Sequence, residues 1–204
     1  MTAPQFSQAL DPFLPKGTSS KIFEYLKDEK VRFKITRERK TKFGDFRAVP
    51  NQAFQTITIN GNLNIYAFLI TFIHEIAHLK VFKSYKQRVA PHGKEWKVKF
   101  QELMSPFLTE EVFPKEILSP LKNYMLNPKA SSSSDHNLFK ALMSFNEGEN
   151  PITVLDIKEG ERFNYRGKIF EKGKKRRTRY ICYLLPTKKP FLFSGLAPVE
   201  VIKS

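Results

Sequence analysis

Cysteine is almost absent from this sequence of 204 residues, and its scarcity excludes several kinds of protein. Cys182 stands alone, so the chain can form no internal disulfide, no zinc ribbon with thiolate ligands and no Cys-x-x-Cys redox pair. Any metal site must therefore use nitrogen or oxygen ligands.

Long hydrophobic runs are also missing. The longest one, around Tyr66 to Ile73, is much shorter than the ~20 residues that a membrane span needs, and it leads into His74 and Glu75. The N-terminal segment has neither the basic start nor the continuous apolar run of a signal peptide. We therefore expect a soluble, cytoplasmic protein that does not associate with membranes.

Acidic residues are outnumbered by basic ones. The chain has 35 Lys and Arg residues against 20 Asp and Glu residues, which gives a formal net charge of +15. An excess of this size creates a positive surface potential that attracts polyanions. Nucleic acid is therefore the class of partner that the composition favours.

The first part of the sequence alternates between helical and strand patterns. Apolar and polar residues alternate from Val31 to Thr36, and a return strand at Phe46 to Val49 would complete a hairpin. Thr56 to Asn60 predicts a third strand, which leads into an apolar helix. After His92, apolar residues recur at helical spacing from Trp96 to Phe107.

The C-terminal part differs in character. Short β-prone runs, separated by Gly or Pro turns, predict a small antiparallel sheet or barrel at 153–157, 162–170, 179–185, 191–193 and 199–202. A Ser-rich segment at 129–136 predicts a linker. We therefore predict an α+β chain with a first domain at 1–128 that contains a small antiparallel sheet, and a small basic all-β module at 137–204.

The chemistry-bearing motif is His74-Glu75-Ile76-Ala77-His78, which matches H-E-x-x-H. Residues four apart share one face of a helix, so both imidazoles can bind one ion while Glu75 lies beside it. Zinc would then lower the pKa of a bound water, and Glu75 would take the proton of that water as general base. The competing interpretation is an apolar helix that carries two core histidines by chance.

A catalytic zinc takes three protein ligands, so the sequence must supply one more. His92 is the first candidate, because it follows His78 by 14 positions and directly precedes Gly93 at the start of the next helix. Glu95 and Glu102 compete with His92 for this role.

The segment HEIAH, followed by a loop and HGKEWKVKF, resembles the SprT-like zinc metallopeptidases. Their signature is H-E-x-x-H followed by a His-Gly pair with an aromatic residue a few places on. The resemblance covers about residues 1 to 128 and implies a zincin-like helical domain, with one zinc ion bound by His74, His78 and His92 and with Glu75 as the catalytic base. Many members of the family continue into a cysteine-ligated zinc ribbon, for which this chain lacks the ligands.

Basic residues concentrate in the C-terminal module, at Lys174, Lys175, Arg176, Arg177 and Arg179. An isolated charge run of this kind is most simply a solvated hairpin tip. Two further basic regions, at 32–47 and at Lys80, Lys83, Lys86 and Arg88, favour binding of DNA through its phosphates without sequence preference. SprT-like proteases of eukaryotes act on proteins crosslinked to DNA, so the resemblance implies a protease that DNA brings to its protein substrate.

We therefore predict a zinc metallopeptidase that hydrolyses peptide bonds of DNA-associated proteins. In this hypothesis the strand at Gln55 to Asn60 offers its edge to an extended peptide, and the candidates for stabilising the oxyanion are Tyr66, Tyr85 and Arg88. One alternative is a nucleic-acid-binding protein with a structural or vestigial zinc site. Another is a metallohydrolase that cleaves an amide bond outside peptides.

Overall fold

The first of two compact units, residues 1–146, has two helices, then three strands and then four more helices in its described part. The computed structural model describes residues 2–39, 42–48, 53–85, 89–131, 135–146, 152–177 and 179–202. The elements of the first unit are α1 (Ala3–Leu10), α2 (Ser19–Leu26), β1 (Val31–Thr36), β2 (Gly44–Arg47), β3 (Gln55–Asn60), α3 (Ile65–Ser84), α4 (Lys94–Met104), α5 (Lys115–Leu126) and α6 (His136–Met143). Short 3-10 turns follow α1 and α4. The predicted α+β class is confirmed.

Helix α3 is the centre of this unit. It begins at a helix cap where the Asn64 side chain accepts a hydrogen bond from the Ala67 N–H at 2.9 Å. Its apolar residues lie all around the helix, which is the pattern of a buried helix rather than a surface helix. By length and mean hydropathy the whole of α3, including its polar residues, would suffice to cross a membrane, but 67% of its most apolar window is buried inside the protein, as in the core helix of a soluble protein.

The three-stranded sheet has the order β1-β3-β2. Strand β3 pairs in parallel with β1 and antiparallel with β2, so the sheet is mixed and the predicted hairpin between the first two strands is wrong. The reason is burial: β3 carries the fully buried Ile57 and Ile59 and takes the central position. The prediction that Gln55 to Asn60 offers a free edge is therefore also wrong, and β2 is the free edge beside α3.

The division between the units falls between Asn146 and Glu147. Helix α6 buries Leu138 and Leu142 in the same core as α3. It therefore belongs to the first unit, although the sequence analysis placed the start of the C-terminal module at residue 137. Of the predicted linker at 129–136, residues 132–134 lie outside the described part, and Tyr124 holds the start of the linker by donating a hydrogen bond from its hydroxyl to the Lys129 carbonyl at 2.7 Å.

The second unit, residues 147–204, contains an antiparallel sheet of five strands in the order β7-β6-β5-β4-β8. The strands are β4 (Arg162–Tyr165), β5 (Lys168–Arg176), β6 (Arg179–Leu184), β7 (Lys189–Ser194) and β8 (Glu200–Val201). Their inner faces enclose a small apolar core that includes Phe163, Phe170 and Cys182. The predicted strand at 153–157 is wrong, because a turn begins after an isolated bridge between Thr153 and Pro198.

Candidate metal centre

Two of the predicted ligands share one face of α3. His74 and His78 are one helical turn apart, and their ring centroids lie 4.9 Å from each other. Most other residues of α3 are packed in the apolar core, which holds the backbone that carries both imidazoles.

The third predicted ligand, His92, comes from the turn that connects α3 to α4. The N–H of Gly93 donates to the carbonyl of Ala90 at 3.0 Å, which closes a tight turn around Pro91 and His92. A Cβ on Gly93 would lie 3.1 Å from the Ala90 side chain, so a larger residue would strain this turn. The turn thus brings His92 back to α3 immediately before α4 begins.

The three Nε2 atoms converge on one point. The Nε2 atom of His78 lies 3.1 Å from those of His74 and His92, and these two are 3.2 Å apart. Three neutral imidazoles cannot satisfy each other around such a triangle, because each Nε2 carries either one proton or one lone pair. A tetrahedral ion with metal–nitrogen bonds of about 2.0–2.1 Å spaces its ligand atoms by roughly 3.3 Å, which this triangle matches closely.

Trp96 packs against all three histidines. Its ring centroid lies 4.6 Å from that of His74, 4.7 Å from that of His92 and 5.4 Å from that of His78, on which it stacks. The indole N–H donates to the carbonyl of His74 at 3.4 Å. This fully buried side chain on α4 therefore fixes the orientation of the rings from one side.

The histidines are held in their neutral form, which is the form that binds metals. Burial lowers the pKa of His74 well below its ordinary value, and the neighbouring histidines lower it further. Burial and His92 lower the pKa of His78 to about 4, and burial also lowers the pKa of His92. The three residues could thus hold a metal ion at neutral pH without first losing protons.

Glu75 is 6% exposed and lies against strand β2. Burial and the charge of Asp45 raise its pKa to about 8, against the opposing effects of a hydrogen bond from the Phe46 backbone N–H and of the positive charges of Arg39 and Lys42. A cation held by the histidines would favour the ionised carboxylate of this residue.

The three histidines and Glu75 line one cleft of about 460 Å³. Strand β2 and the two residues before it, 42–46, form one wall of the cleft, and α3 forms its floor with Thr71, His74, Glu75 and His78. Tyr124, Ala130 and Ser131 also line the cleft. Two residues of the segment predicted to be a linker therefore line the site.

The competing predictions for the site residues find less support. Glu102 binds Lys99 on the exposed side of α4, and neither it nor Glu95 belongs to the cluster of ligand atoms in the described part of the chain. Tyr66 packs between Phe113 and Phe145, and these three residues do not line the cleft.

Two further candidates for stabilising the oxyanion, Tyr85 and Arg88, follow α3. Tyr85 is 46% exposed just beyond the helix and does not line the cleft, and Arg88 lies outside the described residues.

The basic segment after His78 is partly neutralised. Lys80 and Lys83 both pair with the carboxylate of Glu29, the former at 2.8 Å, while Lys86 and Arg88 lie outside the described residues. Burial alone would raise the pKa of Glu29, but Lys80 and Lys83 hold it below its ordinary value. In the basic region predicted between the histidines, Lys80 and Lys83 are thus partly neutralised by Glu29.

The predicted nucleic-acid-binding residues lie together at one tip of the sheet in the second unit. Lys174, Lys175 and Arg176 end β5, Arg177 occupies the turn and Arg179 begins β6. All five are exposed, and among the described residues none forms an ion pair. Three of them, with Leu192, line a shallow depression of about 330 Å³.

Sequence reasoning missed Gly44, Tyr124 and the wall residues Ala130 and Ser131. Gly44 gave a weak signal as a glycine just before a short strand, but nothing in the sequence indicates what it touches. The signal for Tyr124 was absent, because its position depends on how α5 packs.

Comparisons with known proteins add one finding. A search of curated proteins gave no match, and a search of solved structures gave none either. The model of the SprT-like family matches residues 14–116, which include β1 to β3, α3, α4 and all three histidines. Since the match covers half of the chain and the ligand triangle lies within it, the chain belongs to the SprT-like family.

Proposed function

We propose that this chain is a zinc-dependent metallopeptidase that hydrolyses peptide bonds in DNA-associated proteins. Membership of the SprT-like family suggests a metallopeptidase-like function. The observation that carries the proposal is the convergence of three half-buried imidazoles, through their Nε2 atoms, in a cleft that also contains Glu75.

The donor set fits zinc. Three neutral imidazoles are ligands of intermediate softness at tetrahedral spacing, and the described cluster has no fourth protein ligand. When bound in such a site, zinc keeps a position for water, lowers the pKa of that water towards about 7 and polarises a carbonyl oxygen. A structural zinc site would have four protein ligands, so this geometry supports an enzyme.

The residues of the chain supply the proton transfers. Glu75 accepts a proton from the attacking water as the oxygen of that water bonds to the scissile carbonyl carbon. The carboxyl group of Glu75 then gives this proton to the amine nitrogen as the C–N bond breaks, which yields one carboxyl and one amino terminus. The burial of Glu75 supports this role, because it keeps bulk water from competing for the proton.

The free edge of β2 supports a peptide as the substrate. This strand lines the cleft, and β3 occupies only one of its two edges. An extended peptide can add to an unpaired strand edge through main-chain hydrogen bonds, which are independent of its side chains.

The basic tip of the second unit supports DNA as a partner. Five exposed cations without acidic partners in the described part of the chain can neutralise phosphates at little cost in desolvation. DNA would then concentrate the enzyme on proteins bound or crosslinked to it. A cytoplasmic location belongs to the same proposal, and the single buried cysteine agrees with a reducing compartment.

The test is a cleavage assay on a basic DNA-binding protein, combined with metal analysis of the purified chain. Wild type should contain one zinc ion, and Glu75→Gln should retain the zinc while losing about 10²–10⁴-fold in rate, as expected for a general base. Glu102→Gln is the matched control, because Glu102 is an exposed glutamate paired with Lys99. Undiminished cleavage by Glu75→Gln would refute the assignment of the base.

The role of DNA is tested in the same assay with and without single-stranded DNA. We expect cleavage to accelerate with DNA, and equal rates would remove DNA recruitment from the proposal. A nucleic-acid-binding protein with a vestigial site would bind DNA without cleaving protein at all. A hydrolase of small amides would cleave an acylated amine while sparing the protein substrate.

A further inference from the structure

Gly44 on strand β2 lies in close contact with two side chains of α3. A Cβ atom added to Gly44 would lie 2.6 Å from Oε1 and 2.9 Å from Cγ of Glu75. It would also lie 2.7 Å from Cγ2 of Thr71. The backbone of Gly44 is not in the left-handed region, so space alone requires glycine at this position.

The hydrogen-bonding pattern of β2 directs alternate backbone groups towards the cleft. The N–H of Asn60 donates to the carbonyl of Phe43, so positions 43, 45 and 47 pair with β3. In an antiparallel pair the intervening residues turn their N–H and C=O groups away from the partner strand. Gly44 and Phe46 therefore present their polar backbone groups to the free edge, and the Phe46 N–H interacts with the carboxylate of Glu75.

The segment before β2 is anchored independently of Glu75. The buried side chain of Asn60 donates to the carbonyls of Arg39 and Lys42 at 3.2 and 3.0 Å. The guanidinium of Arg39 donates in return to Asn60 Oδ1 at 2.8 Å and to Thr58 Oγ1 at 2.8 Å. This network fixes the start of β2 to β3, so β2 can serve as a rigid support.

Glu75, in contrast, has no ion pair among the described residues. Its carboxylate ends a side chain with three rotatable bonds, and its close contact with β2 at Gly44 restricts it. A displacement of about 1 Å at a reacting group can cost roughly a hundredfold in rate.

We propose that Gly44 is a positioning residue, which lets the edge of β2 hold the carboxylate of Glu75 in place for proton transfer. This inference rests on the proposed peptidase function. It adds that one strand both accepts the substrate backbone and orients the base, so the cleavage point along the peptide is set relative to Gly44.

The kinetic test is Gly44→Ala. We expect kcat to fall about 10- to 100-fold with zinc content unchanged and with a smaller change in KM. Gly61→Ala is the control, because a Cβ on Gly61 would lie 2.7 Å from Ile35 Cγ2, a comparably short contact directly after β3 and away from Glu75. Gly61→Ala should leave kcat within about twofold of wild type.

A second variant separates displacement of Glu75 from displacement of the whole strand. Thr71→Ser removes the methyl group that a Cβ at position 44 would strike, but it keeps the contact between that Cβ and Glu75. Adding Thr71→Ser to Gly44→Ala should therefore leave kcat low. Recovery of wild-type kcat in this double variant would overturn the proposal, as would a kcat for Gly44→Ala within twofold of wild type.

A spectroscopic measurement tests the contact without catalysis or metal. In the metal-free protein, Glu75→Ala should shift the amide proton resonance of Phe46 to higher field and leave that of Arg47, which faces β3, in place. An unchanged Phe46 resonance would refute the contact, even if Gly44→Ala failed to fold. If wild type cleaves no protein but Phe46 shifts as expected, the peptidase function fails and the contact between β2 and Glu75 stands.

Discussion

Two groups of cations in this protein, one in each unit, differ in their partners. In the first unit, four cations near α3 and β2 are paired: Lys80 and Lys83 share Glu29, and Lys42 and Arg47 share Asp45. In the second unit, five cations at the tip of β5 and β6 have no acidic partner among the described residues.

The difference follows from what each surface would bind. A metal site needs neutral ligands in fixed positions, so free positive charge nearby would compete with the ion. A phosphate backbone needs accessible cations whose counterions can be released, so pairing them in advance would weaken binding. We therefore predict that substitutions in the first unit change the geometry of the candidate metal site, whereas those in the second change the salt-dependent affinity for DNA.

The largest effect is expected for His78→Ala. Loss of one of three ligands should weaken zinc binding by more than about a hundredfold, because losing even an outer partner of a ligand costs about 10–100-fold. Trp96 is the only tryptophan and packs on all three histidines, so its fluorescence can follow a zinc titration directly.

His136→Ala is the control for this experiment, because His136 is the remaining histidine and lies on α6 outside the ligand cluster. It should bind zinc with wild-type affinity. Equal zinc affinity for His78→Ala and wild type would show that the three histidines do not bind zinc as one site.

The next effect concerns the pH dependence of stability in the metal-free protein. The pKa of Glu75 is raised from 4.5 to about 8, so its neutral form stabilises the fold below pH 4.5 and this contribution is lost as the pH rises through 8. Glu75→Gln imitates the neutral form. The free energy of unfolding of Glu75→Gln should exceed that of wild type by an amount that grows between pH 5 and pH 8, to about 3 kcal/mol.

Chemical denaturation of both proteins in the presence of a chelator measures this difference. A constant difference across that pH range would show that Glu75 has its ordinary pKa in the fold. Excess zinc should reverse the trend, since a bound cation favours the ionised carboxylate.

The smallest effect is expected in the second unit, from replacing Arg176, Arg177 and Arg179 together by Gln. Affinity for single-stranded DNA should fall roughly tenfold, and the slope of log affinity against log salt should decrease by about two, since each lost phosphate contact contributes about 0.7. Fluorescence anisotropy of a labelled oligonucleotide at several salt concentrations measures both quantities.

The matched control replaces three paired lysines by Gln and changes the net charge equally: Lys27, Lys99 and Lys188. This variant should keep a nearly unchanged salt slope. The same loss in both variants would mean that net charge, not the tip of the sheet, attracts DNA.

The proximity of the histidines could be predicted from the sequence because the first two of them are local. His74, Glu75 and His78 lie within one helical turn and a half, and the spacing of a helix alone places them together. His92 was harder, because a turn through Pro91 and Gly93 brings it back, yet the His-Gly pair before a helix indicated that turn.

The rest of the cleft depends on pairing between distant segments, which sequence patterns do not encode. Alternation in β1 and β3 indicated strands but not that β3 would take the centre of the sheet, because the choice depends on which strand buries both faces. The proximity of Gly44 to Glu75 follows from that order. The role of Ala130 and Ser131 was hidden for a related reason, since polar composition predicts exposure and not position.

The hydrogen bond from Tyr124 to Lys129 has a consequence for how the proposed peptidase could diversify. It fastens a part of the cleft lining that lies beyond residues 14–116, the stretch that defines family membership. Ala130 and Ser131 could thus be exchanged for larger side chains while His74, His78, His92 and Glu75 stay the same. In the proposed peptidase, this part of the cleft can therefore change in evolution while the residues proposed for the chemistry are preserved.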